Sequence, residues 1–368
     1  MLTAVLSISP SFAQNNRNRW FPEKPGYGGT LERANSNTVT IVSGNLDSTD
    51  LSVASDLADV LDDGDDFRVL PIIGRGGGHS IRDVRFLKGV DLGITQSPLL
   101  NSYRRSNEFG PLDGKVVYIA KLYNEEMHIL VRAQSEISSV QQLMGKKVSI
   151  GEAGSGAHLI SRDVFDRLGI KADEVNLGQA DALEKLKSGE IAAAVLVVGK
   201  PSGAIAKLKV DGGLRLLSVP FAKQLQDDYL PAVLSDADYP GTVQAGEGVE
   251  TIAVGAVLIA YNWPRGSESY RRLESFVGRF FQNFNAFHEK PRHPKWREVN
   301  LAAVLPGWAR FGPAEEWVQR NREMASSRTQ FEQFLQSRPG QPATMDSPEA
   351  RERLFFDFIK WGQTRERK

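Results

Sequence analysis

Glycine and serine crowd the segment Gly151-Glu152-Ala153-Gly154-Ser155-Gly156, and a loop of that composition suits one kind of chemistry. Its glycines let the backbone approach a ligand closely, and the residues after it, Ala157 to Leu168, have helical spacing. Free amides at the start of that helix would stand beside its positive dipole end, a setting that binds carboxylates or phosphates. Ser155 adds a hydroxyl at the same place. A plain helix cap, in which Ser155 accepts from an amide two or three residues on, is compatible with the same residues.

Other chemistries find no support. The glycines Gly74 and Gly76, with His79 after them, lack the third glycine of a dinucleotide fingerprint, and no GxxxxGK[ST] phosphate loop occurs. The five histidines, His79, His128, His158, His288 and His293, form no HxxxH or HExxH pair, and no serine sits in a GxSxG elbow. Each histidine reads as a surface or satisfied residue, and His158 alone lies beside a candidate cleft. Cysteine is absent, which removes disulfides, thiolate metal sites and thiol nucleophiles. The expectation is a protein that is not an enzyme and holds neither metal nor cofactor. Acidic and basic residues balance at 45 each, so no overall field favours nucleic acid or an anionic membrane. Arg320 and Arg322, like Arg351 and Arg353, have carboxylates close by at Glu316, Glu323, Glu349 and Glu352 and read as solvated helix faces.

The elements that must position the loop alternate. Residues 38–43 form a β-branched strand, 44–48 a polar loop and 51–62 an amphipathic helix. A second strand over 67–73 leads into glycines 74–78, a short helix over 80–87 and a third strand over 90–95. The second half repeats this order: strand 147–150, the glycine loop, helix 157–168, a strand near Val175, helix 180–188 and strand 191–198. Strands alternating with helices imply parallel sheets covered on both faces, with ligands bound beyond the carboxyl ends of the strands. At 368 residues with 41% hydrophobic residues, the chain is long enough for two such α/β lobes. The apolar stretch Thr251 to Tyr261 suits a strand returning to the first lobe, with hinge crossings near Val131 and Glu250. The divisions expected are residues 38–130 with 250–290 as lobe 1, 131–249 as lobe 2, and 291–368 as a helical C-terminal extension. From Ser267, Tyr270, Leu273, Phe276, Val277, Phe280, Phe281 and Phe284 make a wide apolar helix face for docking to the core. Phe355, Phe358 and Trp361 lie on a last helix that either packs on its own molecule, the favoured reading, or meets a partner.

Residues 1–13 combine an apolar run too short to cross a bilayer with a Ser-Phe-Ala ending that fits signal-peptidase cleavage after Ala13. Residues 14–37 read as a disordered lead-in. Export by a cleaved signal peptide, and no stable membrane insertion afterwards, are the expectations.

The chain resembles the solute receptors of the TAXI branch of the TRAP (tripartite ATP-independent periplasmic) transporters over about residues 38–287. The matching pieces are VDLGITQSPL at Val90–Leu99, LYNEEMHILVR at Leu122–Arg132, GKKVSIGEAGSG at Gly145–Gly156, AAAVLVVGKPSGAI at Ala192–Ile205 and ETIAVGAVLIA at Glu250–Ala260. That resemblance implies a type II periplasmic-binding fold with two α/β lobes, a periplasmic location, and membrane-embedded TRAP transporter subunits as partners. It implies a small polar organic solute, carboxylate or amino-acid-like, as ligand. By position it implies a cleft involving Asp47, Ser48, Thr49, Asp50, Gln96, Ser97, Gly154, Ser155, Gly156, Ala157, Gly199, Lys200 and Pro201. The first loop, GNLDSTDLS, departs from the family: Asp50 and Leu51 stand where tyrosines are usual and Ser52 where a proline is. If Asp47 and Asp50 face the cleft, a purely anionic ligand is disfavoured against one with an amine or several hydroxyls, because buried like charges repel. Alternatively Asp47 or Ser48 caps the helix and Asp50 stabilises its first turn. The same departure admits a degenerate receptor that acts as a sensor or scaffold through protein partners.

Overall fold

Two similar sets of strands and helices are stitched together by two long antiparallel strands. The structure is a computed structural model that describes residues 37–64, 66–208 and 213–336, with 352, 354 and 355. In the first set are β1 (Thr38–Val42), α1 (Thr49–Leu61), β2 (Arg68–Ile72), α2 (Gly77–Phe86), β3 (Leu92–Gln96) and α3 (Ser97–Ser106). The stitch β4 (Val116–Arg132) leads to β5 (Lys147–Ser149), α4 (Gly156–Leu168), β6 (Asp173–Val175), α5 (Gln179–Ser188), β7 (Ala193–Val198) and the short α6 (Gly203–Ala206). Then come β8 (Leu214–Leu217), β9 (Leu230–Ser235), the returning strand β10 (Gly248–Tyr261), α7 (Glu268–Gln282) and α8 (Gly312–Gln336).

The strands lie in the order β2-β1-β3-β10-β4-β7-β5-β6, with β8 also on β4 and β9 on β10. β1 pairs in parallel with β2 and β3, and β5 in parallel with β6 and β7. These are the two α/β lobes that the alternating sequence pattern predicts. β4 pairs with β10 from Val116 to Glu126 and with β7 from Glu126 to Val131. β10 in turn leaves β9 at Ala253, the residue opposite Glu126. The strands therefore change partners at Glu126 and Ala253, where the sequence pattern put the crossings near Val131 and Glu250. β4 carries no glycine or proline where it changes partners, while β10 has Gly255 two residues past Ala253, at an irregularity in its pairing with β4.

Local chemistry explains the element ends. Ser48, Ser155 and Ser267 each accept from an amide three residues on, at 3.2 Å, and so start α1, α4 and α7. Gly169 (φ 68°) closes α4 in the left-handed conformation that glycine adopts without cost. One apolar cluster runs without a break from Val42 and Ile81 in the first lobe to Val148 and Val195 in the second. A second lies between the first lobe's sheet and α1, α7 and α8, and a third covers the outer face of the second lobe.

The stripe on α7 docks as predicted: Tyr270, Leu273, Phe276, Val277, Phe280 and Phe281 are buried and Phe284 is half-buried. The helical extension expected from residue 291 begins with a segment that packs onto the first lobe. Trp296 is fully buried among Phe280 and Phe287, its indole N–H donates to Asp56 at 2.8 Å, and Phe311, Ala314 and Val318 join the same core. Residues 291–318 complete the first lobe because their aromatic side chains cover α1 and α7. Farther on, Phe355 meets Phe331 of α8, so that aromatic packs on its own molecule. Phe358 and Trp361 lie outside the described residues, as do the expected signal peptide and the lead-in as far as residue 36. Among the described residues no helix is long and apolar enough to cross a membrane, and no cluster of His, Asp and Glu could hold a metal ion.

Candidate functional site

The carboxyl ends of β1, β3, β5 and β7 converge on one cleft between the lobes, with a cavity of about 70 Å³. From the first lobe come the loop 44–48, Asp50 in the first turn of α1, Gly76 before α2, and Gln96 at the end of β3. The second lobe supplies Ser149 at the end of β5, the glycine loop, and Ser155, Gly156 and Ala157. Glu125 reaches the floor from β4, just before the crossing.

Side-chain alternation sets that floor. Tyr123 and Glu125 are two apart on β4 and share a face, and both are buried against Asp50. The Tyr123 hydroxyl donates to Asp50 Oδ1 at 2.6 Å, and Gln96 Nε2 donates to Glu125 Oε2 at 2.7 Å. Burial pushes the Asp50 carboxyl up to about 6, with the Tyr123 bond opposing the rise. Burial, followed by the charge of Asp50, raises Glu125 well above the ordinary carboxylate range. Gln96 Oε1 is buried and receives no hydrogen bond, and the same is true of the Ser149 hydroxyl across the cleft. Unsatisfied polar atoms facing a cavity are what a solute's donors and acceptors would satisfy.

The opposite face of β4 carries a different network. Lys295, on the short turn Pro294–Glu298, is almost fully buried and donates to Glu126 Oε1 at 2.6 Å and Glu298 Oε1 at 2.7 Å. Glu126 Oε2 also accepts from the Lys200 amide at 2.8 Å. Beyond it, Tyr239 accepts from the Ser202 amide at 2.9 Å, so its proton points to His128 Nε2 at 2.7 Å. His128 Nδ1 then donates to the Glu126 carbonyl at 2.9 Å. Burial holds His128 neutral, with its pKa lowered to about 3.

Of the residues singled out from the sequence, Asp47, Ser48, Asp50, Gln96, Ser155, Gly156 and Ala157 line the cavity. The other six do not, and each has another contact or position. Thr49 Oγ1 accepts from the Gly199 amide at 2.9 Å, and His79 Nδ1 lies 3.0 Å from the Gly154 carbonyl, so these four residues close the lobes on each other. Ser97 opens α3 beside Gly255 rather than facing the cavity. Lys200 turns its ammonium outward to Asp238 at 2.9 Å, and Pro201 follows a cis peptide bond and is exposed. The Ser155 hydroxyl caps α4, and the same residue lines the cleft. In the first loop Ser48 is the cap, which leaves the buried Asp50 carboxyl to face the cavity. His158, flagged beside the cleft, accepts from the Gly154 amide at 3.0 Å through Nδ1, while its buried Nε2 has no partner.

Residues 49–270, which include the whole second lobe and most of the first, match the NMT1-like family. The chain belongs to that family. This NMT1-like chain is also similar in overall path to several solved structures. One described as a periplasmic transporter shares 14% identity at a TM-score of 0.45, covering 78% of this chain and 93% of that one. The periplasmic aliphatic sulphonate binding protein SsuA from Escherichia coli shares 17% identity at a TM-score of 0.40, covering 88% and 92%. XAC2383 from Xanthomonas citri, bound to ATP, shares 11% identity at a TM-score of 0.44, covering 78% and 98%. None of these likenesses assigns a ligand to the NMT1-like chain.

Proposed function

We propose that this protein is a periplasmic solute receptor, exported by a signal peptide cleaved after Ala13, which captures a small polar organic solute in the interlobe cleft. It passes the solute to the membrane subunits of a TRAP-type secondary transporter, acting as a binder and not as an enzyme. One observation carries the reading: Gln96 of the first lobe and Ser149 of the second line the same cavity with unsatisfied buried polar atoms. A solute that satisfies both favours the closed arrangement, because only there do both lobes touch it. The free amides of Gly156 and Ala157, at the start of α4, suit a carboxylate or hydroxyl on the second-lobe side.

The test is a thermal-shift screen of the mature chain against amino acids, carboxylates, sugars and amines. A true ligand at a hundred times its dissociation constant adds about 2.7 kcal/mol of stability. Gln96→Ala and Ser149→Ala abolish the shift if the cleft is the site, and a shift that survives both places the ligand elsewhere. Delivery is tested by co-purification from membranes: TRAP subunits recovered with the solute-loaded receptor support it, and recovery of a signalling protein alone overturns it.

A further inference from the structure

We infer that the first-lobe wall of this cleft is a subsite for a protonated amine, so that the solute carries an ammonium or guanidinium group held by Asp50, Glu125 and Gln96. This deepens the receptor reading and rests on it.

Three acceptors at this wall have no donor. Asp50 Oδ1 is taken by Tyr123, but Oδ2 receives no hydrogen bond and lies beside Gly44 and Gly76, where a built Cβ would come 3.7 Å from it. Glu125 uses Oε2 for Gln96 and leaves Oε1 unbonded. Gln96, whose Nε2 donates to Glu125 Oε2, presents the orphaned Oε1. All three residues line the one cavity, and Asp50, Glu125 and Gln96 are 2%, 2% and 4% exposed. An ammonium offers three donors and no acceptor, and a guanidinium five donors in a planar fork. Either answers this set, whereas a carboxylate would add further unpaired acceptors to it.

Charge points the same way. Among the described residues, the cavity lining has carboxyl groups at Asp47, Asp50, Glu125 and Glu152 against a single cation, the exposed Arg75. Lys295, a buried cation on the opposite face of β4, faces away and is already bonded to Glu126 and Glu298. A carboxylate buried without a cation is costly, and a cation brought by the ligand offsets that cost. Cationic and anionic ends would then lie on opposite lobes, with the amine at Asp50 and any carboxylate at the amides of Gly156 and Ala157.

The experiment titrates the full chain calorimetrically, with melting curves alongside. The panel is putrescine, agmatine, the twenty common amino acids, succinate, glutarate, 2-oxoglutarate, glucose and ribose. The expected result is binding confined to amine-bearing members, weakened at least tenfold in Asp50→Asn while the ligand-free variant melts no lower than the native chain. That last readout separates the role from a structural one, since removing an unpaired buried charge does not destabilise. Binding of a carboxylate or sugar without an amine overturns the subsite and leaves the receptor standing. So does an amine whose affinity is unchanged in Asp50→Asn. No binding by any member of a folded preparation overturns the receptor reading and the subsite with it.

Discussion

The hydroxyl of Tyr123 and the carboxyl of Asp50 meet at 2.6 Å between β4 and the first turn of α1, both withdrawn from solvent. The bond fixes which oxygen of Asp50 remains free for the cleft. It also stabilises the carboxylate only in part, because burial outweighs it and leaves the Asp50 pKa near 6.

That balance has a sign. The folded pKa of Asp50 is above its ordinary value of 3.8, so the folded state holds the proton more tightly. Its stabilising contribution is full below about 3.8 and is lost as pH rises through about 6. Ligand-free Asp50→Asn should therefore gain on the native protein as pH rises from 4 to 8. The gap should widen by up to about 3 kcal/mol, read from urea melts at each pH. A gap independent of pH would mean that Asp50 does not titrate in this range.

His128 gives the opposite slope. Its folded pKa is depressed from 6.5 to about 3 by burial, with Lys295 and Lys200 adding to the fall and the Glu126 carbonyl and Asp238 opposing it. The stability that follows is present above about 6.5 and is lost as pH falls toward 3, at about 1.4 kcal/mol per pH unit. Urea melts of His128→Gln should show a flatter acid limb than the native protein between pH 6.5 and 4. Equal slopes would show that imidazole protonation is not what acid exploits.

The buried pair Lys295 and Glu126 ties residues 294–298 to the strand crossing. Lys295→Met leaves Glu126 buried with only the Lys200 amide, and should cost about 3–5 kcal/mol in denaturant melts. Adding Glu126→Gln should recover most of that loss, because the uncompensated charge, rather than the contact, is what destabilises. A double variant as unstable as the single would assign the loss to packing of the lysine stem.

Much of the lobe architecture was legible because its signals are local: β-branched runs, serine caps and the aromatic spacing of α7 each depend on neighbours within a few residues. The second-lobe loop was readable for the same reason, through Gly154, Ser155 and Gly156. Glu125 was not. The tract Asn124-Glu125-Glu126 reads as polar and surface-like, yet both glutamates are buried, on opposite faces of β4. Only the change of strand partner at Glu126, a long-range event, gives each face its own polar interior. Ser149 is hidden similarly, since one serine at a strand end has no signature until a cleft is built over it. The packing of residues 291–318 on the first lobe was not legible because Trp296 and Lys295 acquire their meaning from Asp56 and Glu126, far away in sequence.

Closure of the lobes can be tested at one glycine. A Cβ at Gly156 would stand 2.8 Å from Gln96 Oε1 and 2.9 Å from its Nε2, and Gln96 is pinned by Glu125. Gly156→Ala therefore sets a methyl between the lobes at a point where they meet beside the cavity. Gly156 also sits in the first turn of α4, where alanine is the better helix former, so the melting temperature of the ligand-free variant should hold or rise. Solute affinity should fall about tenfold, because part of the contact free energy is then spent on displacing the Gln96 amide. Small-angle scattering of the ligand-free variant should show a larger radius of gyration than the native chain. Unchanged scattering together with unchanged affinity would mean that Gln96 swings aside freely, and that its bond to Glu125 does not hold the first-lobe wall in place.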